Sequence, residues 1–284
     1  MKNVSASIKA KLLNHARANG LEMGPLMEQY ALGRLFWRLS QSRYADRFVL
    51  KGAQLFQIWS GAAHRPTRDA DFLSYGEVDA EALIAIFSGI CAVGLPEEDG
   101  LSWQDCSAKS IRDDNAYGGI RVRMVAMLGN ARIPVQVDVG YGDVITPEPV
   151  KVQWRGLLDF PPSRLLAYPP QTVIAEKLEA AVSLGRSNSR MKDFYDMYWL
   201  SRHMSIERSL LVESIQLTFE RRGTNVPQGV PLALTDDFAN DPSKQTQWKA
   251  FLRKSDLEFI EFSEVIAELR KFIVPLLGDG EGIS

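Results

Sequence analysis

The spacing of hydrophobic residues changes partway along the 284-residue chain, and this change constrains the fold more than any other feature. Before about residue 165, short apolar runs and alternating stretches predict strands interspersed with helices. Beyond that point, apolar residues recur at helical spacing, three or four positions apart. The sequence therefore predicts an α/β domain with a mixed sheet over 1–165 and a mainly helical domain over 166–284.

The local patterns also predict individual elements. In the first part, helices are expected over about 4–19, 24–42, 55–59 and 79–93, strands over 48–50 and 69–75, and antiparallel strands between 107 and 142. The stretch 147–170 is broken up by prolines and predicts irregular backbone. In the second part, helices are expected over about 170–184, 190–203, 205–221 and 255–275, with an ordered loop over 225–241.

Composition excludes several classes of protein. Hydrophobic residues make up 45% of the chain, enough for a real core, and the net charge is only −2. A nucleic-acid contact would therefore need a local cluster of cations, such as Arg221-Arg222, Lys249 or Arg253-Lys254, although a solvated face is the default explanation for such residues. The two cysteines and three histidines form no spaced motif. No N-terminal signal core or membrane-length apolar run is present, so we expect a cytoplasmic protein with no membrane association.

Two closely spaced aspartates carry the strongest chemical signal. In an extended strand, residues i and i+2 point to the same face, so Asp69 and Asp71 present adjacent carboxylates. Asp138 lies on the polar face of the alternating strand 133–139 and adds a third carboxylate if the two strands are neighbours. Hard oxygen ligands of this kind suit Mg²⁺. The alternative is a surface strand whose aspartates are merely solvated.

The residues around this pair favour the functional interpretation. A strand ends at the turn Lys51-Gly52-Ala53, a short helix before the aspartates, and glycine allows a backbone to approach a phosphate closely. Thr67 and Arg68 precede Asp69 directly, and arginine can donate two hydrogen bonds to phosphate oxygens. A phosphate-binding turn followed by paired carboxylates is what nucleotide transfer requires.

A second polar cluster is expected in the helical part. Lys177 interrupts an apolar helical stretch, and Asp193 and Asp196 share one helix face at i, i+3 spacing. Lys177 either pairs with one of these aspartates and joins two helices, or reaches a triphosphate whose binding an aspartate orients. The residue types alone favour the structural alternative.

Five segments in the same order resemble the AbiEii/AbiGii nucleotidyltransferase-like toxins: 48–53, 66–72, 135–139, 174–180 and 190–196. The segments 218–224 and 247–252 are also similar to one branch of that family. The resemblance implies a DNA-polymerase-β-like nucleotidyltransferase fold with a helical C-terminal half. It also implies the toxin of a toxin–antitoxin module, with an AbiEi-like antitoxin encoded nearby and often no stable complex between the two proteins.

The resemblance further implies an activity and a set of residue roles. Related Men-type toxins transfer a nucleotide from an NTP to the 3′ end of tRNA, which blocks translation. By similarity, Asp69 and Asp71 would be catalytic metal ligands, Lys177 a triphosphate contact and Asp196 a required acidic residue. With the assignments made above, the expected nucleotide-binding residues are Gly52, Ala53, Thr67, Arg68, Lys177 and Asp193, and the expected Mg²⁺ ligands are Asp69, Asp71 and Asp138.

One departure from the family pattern leaves other functions open. The phosphate turn of nucleotidyltransferases usually carries a hydroxyl residue after its glycine, whereas this chain has Ala53. Thr67 could supply the hydroxyl instead. The alternatives to RNA modification are transfer to a small molecule or a protein, and a nucleotide-binding module without catalysis.

Overall fold

The computed structural model describes residues 3–61, 67, 69–112 and 118–278. Contacts divide the chain into two compact units, Met1–Gly142 with Val150–Ala167, and Asp143–Pro149 with Tyr168–Ser284. Residues 143–149 thus belong to the second unit, although the chain immediately before and after them belongs to the first. The sequence pattern did not indicate this. None of the helices in the described ranges is long and apolar enough to cross a membrane.

The first unit combines four helices with one sheet. The helices are α1 (Val4–Asn19), α2 (Met23–Gln41), α3 (Gln54–Ser60) and α4 (Ala80–Cys91). The strands are β1 (Phe48–Lys51), β2 (Ala70–Ser74), β3 (Leu101–Arg112), β4 (Gly118–Leu128), β5 (Ala131–Tyr141), β6 (Val150–Trp154) and β7 (Ser163–Ala167). The helices and strands predicted before residue 142 are confirmed, and β3 begins earlier than expected.

The seven strands form a mixed sheet in the order β3-β4-β5-β2-β1-β7-β6. Strand β2 lies at its centre, parallel to β5 on one side and antiparallel to β1 on the other. Strands β4 and β5 alternate between buried apolar and more exposed polar side chains. The buried face packs against α2 and α4, so the polar side chains of the central strands lie together on the opposite face.

The proline-rich stretch 147–170 was wrongly predicted to be irregular. It contains β6 and β7, which pair with each other in antiparallel register, and β7 also runs parallel to β1. Both strands are only five residues long, and prolines lie just outside them, where they remove no hydrogen bond from the ladder. Buried Trp154, Leu165 and Ala167 explain why the segment joins the sheet.

The second unit is helical. Its helices are α5 (Pro170–Leu184), α6 (Met191–His203), α7 (Arg208–Arg222), α8 (Asp236–Ala239), α9 (Pro242–Lys254) and α10 (Phe262–Leu277). The four predicted helices correspond to α5, α6, α7 and α10, whereas α9 was missed and the expected loop over 225–241 includes α8. Helix α9 has an aspartate cap at Asp241, a proline at its first position and a buried Trp248, all of which were readable as helix signals.

Candidate active site

The first unit places two of the three predicted metal ligands side by side. Strands β2 and β5 pair in parallel register with Asp71 directly opposite Asp138. Residues directly opposite in a sheet point to the same face, so both carboxylates lie on the polar face, and both side chains are partly exposed. The sequence-based expectation that the two strands are neighbours is therefore confirmed.

The glycine turn lies immediately against Asp71. Gly52 adopts a left-handed backbone conformation with φ of 71°, which side chains with a Cβ rarely tolerate. A Cβ at this position would collide with Oδ2 of Asp71. Gly52 therefore allows both the tight turn after β1 and the approach of the Asp71 carboxylate to the turn backbone. Ala53 follows, buried and in helical conformation.

Asp138 forms a bidentate ion pair with Arg121 on β4. Arg121 Nε donates to Oδ1 at 2.8 Å and Nη2 donates to Oδ2 at 2.7 Å. The hydrogen bond to Asp138 raises the pKa of Arg121 above its ordinary value, and the charges of Asp69 and Asp71 act in the same direction. The guanidinium therefore interacts electrostatically with all three predicted carboxylates and forms a direct ion pair with Asp138.

Asp69 lies just before β2, where backbone contacts hold the chain. Its carbonyl accepts hydrogen bonds from the Thr67 hydroxyl at 3.3 Å and from the Gln54 side chain at 3.4 Å. The Thr67 hydroxyl thus contacts the backbone of Asp69, and its role toward a phosphate stays a prediction. Arg68, the predicted phosphate contact between them, lies outside the described residues.

Residues in register across five strands form a charged row on this face, namely Lys109, Arg121, Asp138, Asp71 and Lys51. The two carboxylates occupy the centre of the row and cations flank them on both sides. Such an arrangement can hold polyanionic groups next to the carboxylates, because each phosphate that approaches meets a cation.

Sequence reasoning missed Arg121 and Lys51 as members of this site. The signals were present in both cases. Arg121 and Arg123 alternate with buried residues on β4, and Lys51 directly precedes the glycine turn. What could not be read from one sequence was the register that brings β4 and β1 level with Asp71.

The donor chemistry at the centre of the row fits a divalent cation. Asp71 and Asp138 offer hard oxygen ligands from adjacent strands, which is the set that Mg²⁺ accepts together with substrate phosphates. In the described ranges, no three His, Cys, Asp or Glu side chains form a group that could hold a metal. Arg121 uses one lone pair on each oxygen of Asp138, so a cation that binds this carboxylate has to share its negative charge with the guanidinium.

The second unit contains the predicted lysine–aspartate cluster. Lys177 Nζ lies 2.5 Å from Oδ1 of Asp193 and 3.0 Å from Oδ2 of Asp196. Asp196 is fully buried, and Arg190 adds a contact to Asp193 at 3.4 Å. The predicted pairing that joins two helices is confirmed, here between α5 and α6. The role of these residues toward a nucleotide stays a prediction.

A second buried cluster surrounds Arg222 in the same unit. Its guanidinium contacts Asp143 at 3.1 Å, Glu176 at 3.4 Å and Glu179 at 2.9 Å. Burial opposes the charged form, but these carboxylates raise the pKa of Arg222 above its ordinary value. Arg222 was considered for phosphate contacts, and this interpretation was wrong, because the side chain is only 10% exposed and neutralised by acids. The cluster fixes α7 against α5 and the segment 143–149.

The mixed sheet, the glycine turn and the in-register carboxylates together define a protein of the nucleotidyltransferase class. The sequence matches the family described as Nucleotidyl transferase AbiEii toxin, Type IV TA system, over residues 34–268. Because the match covers most of the chain, the protein belongs to this family of toxin nucleotidyltransferases.

Solved structures support the same fold. JHP933 from Helicobacter pylori superimposes with a TM-score of 0.51 at 15% identity, covering 89% of this chain and 91% of the other. A second H. pylori structure, described as a "putative nucleotidyltransferase", gives a TM-score of 0.50 at 15% identity and covers 90% and 96% of the two chains. Among curated proteins, none matches the chain.

Proposed function

We propose that the protein transfers NMP from an NTP to the 3′ end of an RNA, with tRNA as the acceptor, and thereby blocks translation. One observation carries the proposal: Asp71 and Asp138 lie in register on the polar sheet face, and the Gly52 turn touches Asp71. The toxin family supplies the reaction class. The acceptor and the translation block extend the resemblance to the Men-type toxins, and NTP and RNA would meet the protein in the cytoplasm.

In this proposal, Asp71 and Asp138 hold Mg²⁺ at the centre of the charged row together with substrate phosphates, and Asp69 becomes a third ligand only when the ion is bound. When bound, Mg²⁺ supplies positive charge next to the reacting phosphate. The Gly52-Ala53 turn, with Thr67 and Arg68, binds the donor nucleotide on the β1 side of Asp71. Ala53 provides no hydroxyl, so backbone groups of the turn have to make the phosphate contacts.

The reaction itself needs little covalent participation by the protein. The ribose hydroxyl of the acceptor forms a bond to the α-phosphorus, and the bond from this phosphorus to pyrophosphate breaks. The proton of the hydroxyl passes to a carboxylate of the row and then to water. Positioning of the two substrates and neutralisation of phosphate charge supply most of the catalysis.

The helical unit has its own proposed role. By resemblance, Lys177 contacts the triphosphate, and Asp193 and Asp196 orient it. The observed pairs at 2.5 and 3.0 Å support the orienting part of this proposal. They also fit a purely structural role, and kinetics must separate the two. A Lys177→Arg variant keeps the charge, so a drop in turnover without loss of stability favours the nucleotide contact.

The family implies a protein partner as well. We propose that an AbiEi-like antitoxin encoded nearby counteracts the toxin, without a requirement for a stable complex. Coexpression tests this point directly: the antitoxin should restore growth even where the two purified proteins do not co-elute. A failure to restore growth contradicts the proposed pairing.

The deciding experiment incubates the purified protein with each α-labelled NTP, Mg²⁺ and total RNA, and then sizes the labelled products. We expect label on RNA of tRNA length, dependent on Mg²⁺ and absent with Asp71→Asn. Label on a protein or a small molecule alone would establish the alternative transferase function. NTP binding with no labelled product would instead establish a module without catalysis.

Expression in cells provides an independent check. The wild-type chain should inhibit growth, and Asp71→Ala should not, because loss of a metal carboxylate costs several kcal/mol of transition-state stabilisation, or orders of magnitude in rate. If Asp71→Ala inhibits growth as strongly as the wild type, the proposed enzymatic mechanism of toxicity is wrong.

A further inference from the structure

A group of cations lies on the polar sheet face beside the carboxylates, on the side of β5 that faces away from the Gly52 turn. Lys109 on β3 and Arg123 on β4 are both exposed, and Arg121 lies between them and Asp138. Lys109 is directly opposite Arg121, and Arg123 is two residues further along β4. We call these three residues the β3–β4 basic patch.

The spacing within the patch suits a chain of phosphates. Neighbouring strands lie about 4.8 Å apart and every second residue along a strand about 6.7 Å. The Cα atoms of the three residues are therefore separated by distances comparable with those between successive phosphates of a nucleic acid. Arg123 Nε is 3.4 Å from the Gln136 side chain, a long contact that leaves the guanidinium exposed.

The direction of the patch from Asp71 is the second argument. The Gly52 turn, assigned to the donor nucleotide, follows β1 on one side of β2, whereas β5, β4 and β3 extend on the other side. In phosphoryl transfer, the attacking and leaving oxygens are roughly in line on opposite sides of the phosphorus. If pyrophosphate leaves toward the Gly52 side, the attacking hydroxyl has to approach from the side of β5 and β4.

We propose that the β3–β4 basic patch binds the phosphate backbone of the single-stranded 3′ end of the acceptor RNA and directs its terminal hydroxyl toward Asp138 and Asp71. This inference rests on the proposed function. It adds a binding surface for the acceptor and assigns Lys109, Arg121 and Arg123 to it. The chain is acidic overall, with a net charge of −2, so a local patch has to provide the attraction to phosphate.

The chain offers a matched control on the opposite half of the same face. Lys151 lies on β6, the other edge strand, and Arg164 lies on its neighbour β7, and both are exposed. Their register through Leu166 and Val49 places them on the face that carries Lys51. Like Lys109 and Arg123, they are a lysine on an edge strand and an arginine diagonally across on the next.

The test compares Lys109→Gln/Arg123→Gln with Lys151→Gln/Arg164→Gln and the wild type. The probe is a fluorescein-labelled 12-nucleotide single-stranded RNA, and its affinity is measured by anisotropy across a series of salt concentrations without NTP or metal. For single strands, each lost phosphate contact lowers the slope of log K against log salt by about 0.7. We expect the patch variant to lose about 1.4 from the slope and roughly tenfold or more in affinity near 0.1 M salt. The control pair should retain both.

Kinetics provide the second measurement. In the transfer assay, the patch variant should raise KM for RNA and leave KM for NTP unchanged, because the donor site is intact. Unchanged RNA affinity in the patch variant, or an equal loss in the control pair, would overturn the proposed surface. Since binding is measured without turnover, this result is distinct from failure of the proposed function, which would appear as wild-type protein that labels no RNA.

Discussion

The contact between Gly52 and Asp71 leads to the most specific prediction, which concerns Gly52→Ala. The new Cβ would collide with Oδ2 of Asp71 and lie 2.9 Å from its Cγ and 3.1 Å from its Cβ. Real Cβ atoms almost never approach other atoms this closely. Asp71 sits in a strand paired on both sides, so its backbone cannot retreat easily. The carboxylate itself therefore has to rotate away.

Two separate costs add in this variant. Alanine in the left-handed region costs about 1–2 kcal/mol, and a carboxylate forced off its preferred rotamer costs about another 0.5–1.5 kcal/mol. Gly61 isolates the first cost, because its φ is 70° and a Cβ there would meet no atom of the described residues within 4 Å. We expect Gly61→Ala to lose about 1–2 kcal/mol and Gly52→Ala about 1.5–3.5 kcal/mol of unfolding free energy.

Urea denaturation and nucleotidyl transfer together test the reasoning. Gly52→Ala should be less stable than Gly61→Ala and should lose transfer activity, whereas Gly61→Ala should retain most of it at a temperature where both are folded. In an Asp71→Gly background, Gly52→Ala should cost only as much as Gly61→Ala, because no carboxylate remains to be displaced. Equal stability and equal activity of the two single alanine variants would refute the proposed contact.

Three further predictions concern buried charges and thiols. Lys177→Met leaves Asp193 and Asp196 without their ammonium partner and should cost about 3–5 kcal/mol in urea denaturation, and adding Asp196→Asn should recover part of this loss. Arg222→Met leaves neighbouring carboxylates buried without a cation, so the folded variant should bind more protons than its unfolded state. The unfolding free energy of the variant should therefore rise more steeply than that of the wild type as pH falls from 8 to 5. Burial raises the pKa of Cys91 from 9.0 to about 12, so its thiol should react slowly with Ellman's reagent at pH 8. Because the folded protein keeps this proton, stability should fall between pH 9 and 12, and less so in Cys91→Ala.

The central strands could be predicted because apolar and polar residues alternate along them. Val135 and Val137 alternate with Gln136 and Asp138, and this pattern fixes which side chains face the core and which face outward. Given that Asp71 follows the same rule on β2, the only unknown was whether the two strands are neighbours. That neighbourhood is a long-range property that the alternation within one strand does not determine, so Asp138 could be assigned to the site only on the condition that the two strands pair.

Strands β6 and β7 were not predicted, and the reason is physical. Strand β7 has five residues and lies between two proline pairs, so local pattern favours a loop. Its position is decided by the burial of Leu165 and Ala167 and by a parallel pairing with β1, a partner more than a hundred residues away. Both the burial and the strand pairing depend on distant residues, so neither can be read from a sequence window of about ten residues. The missed helix α9 is different, because its capping residue and proline were available locally.

The ion pair between Arg121 and Asp138 connects the proposed metal site with the proposed RNA-binding patch. In the structure, the guanidinium donates to both oxygens of Asp138, so a cation that binds the remaining lone pairs competes with Arg121 for the same negative charge. Exchange of partners is feasible, since both side chains are partly exposed, 32% for Arg121 and 18% for Asp138. An Arg121 displaced by Mg²⁺ would remain tethered to β4 beside Arg123, where its charge can be used by an acceptor phosphate. Metal binding would release Arg121 for an RNA phosphate, and RNA binding would release Asp138 for the metal. Each of the two ligands would then strengthen the binding of the other.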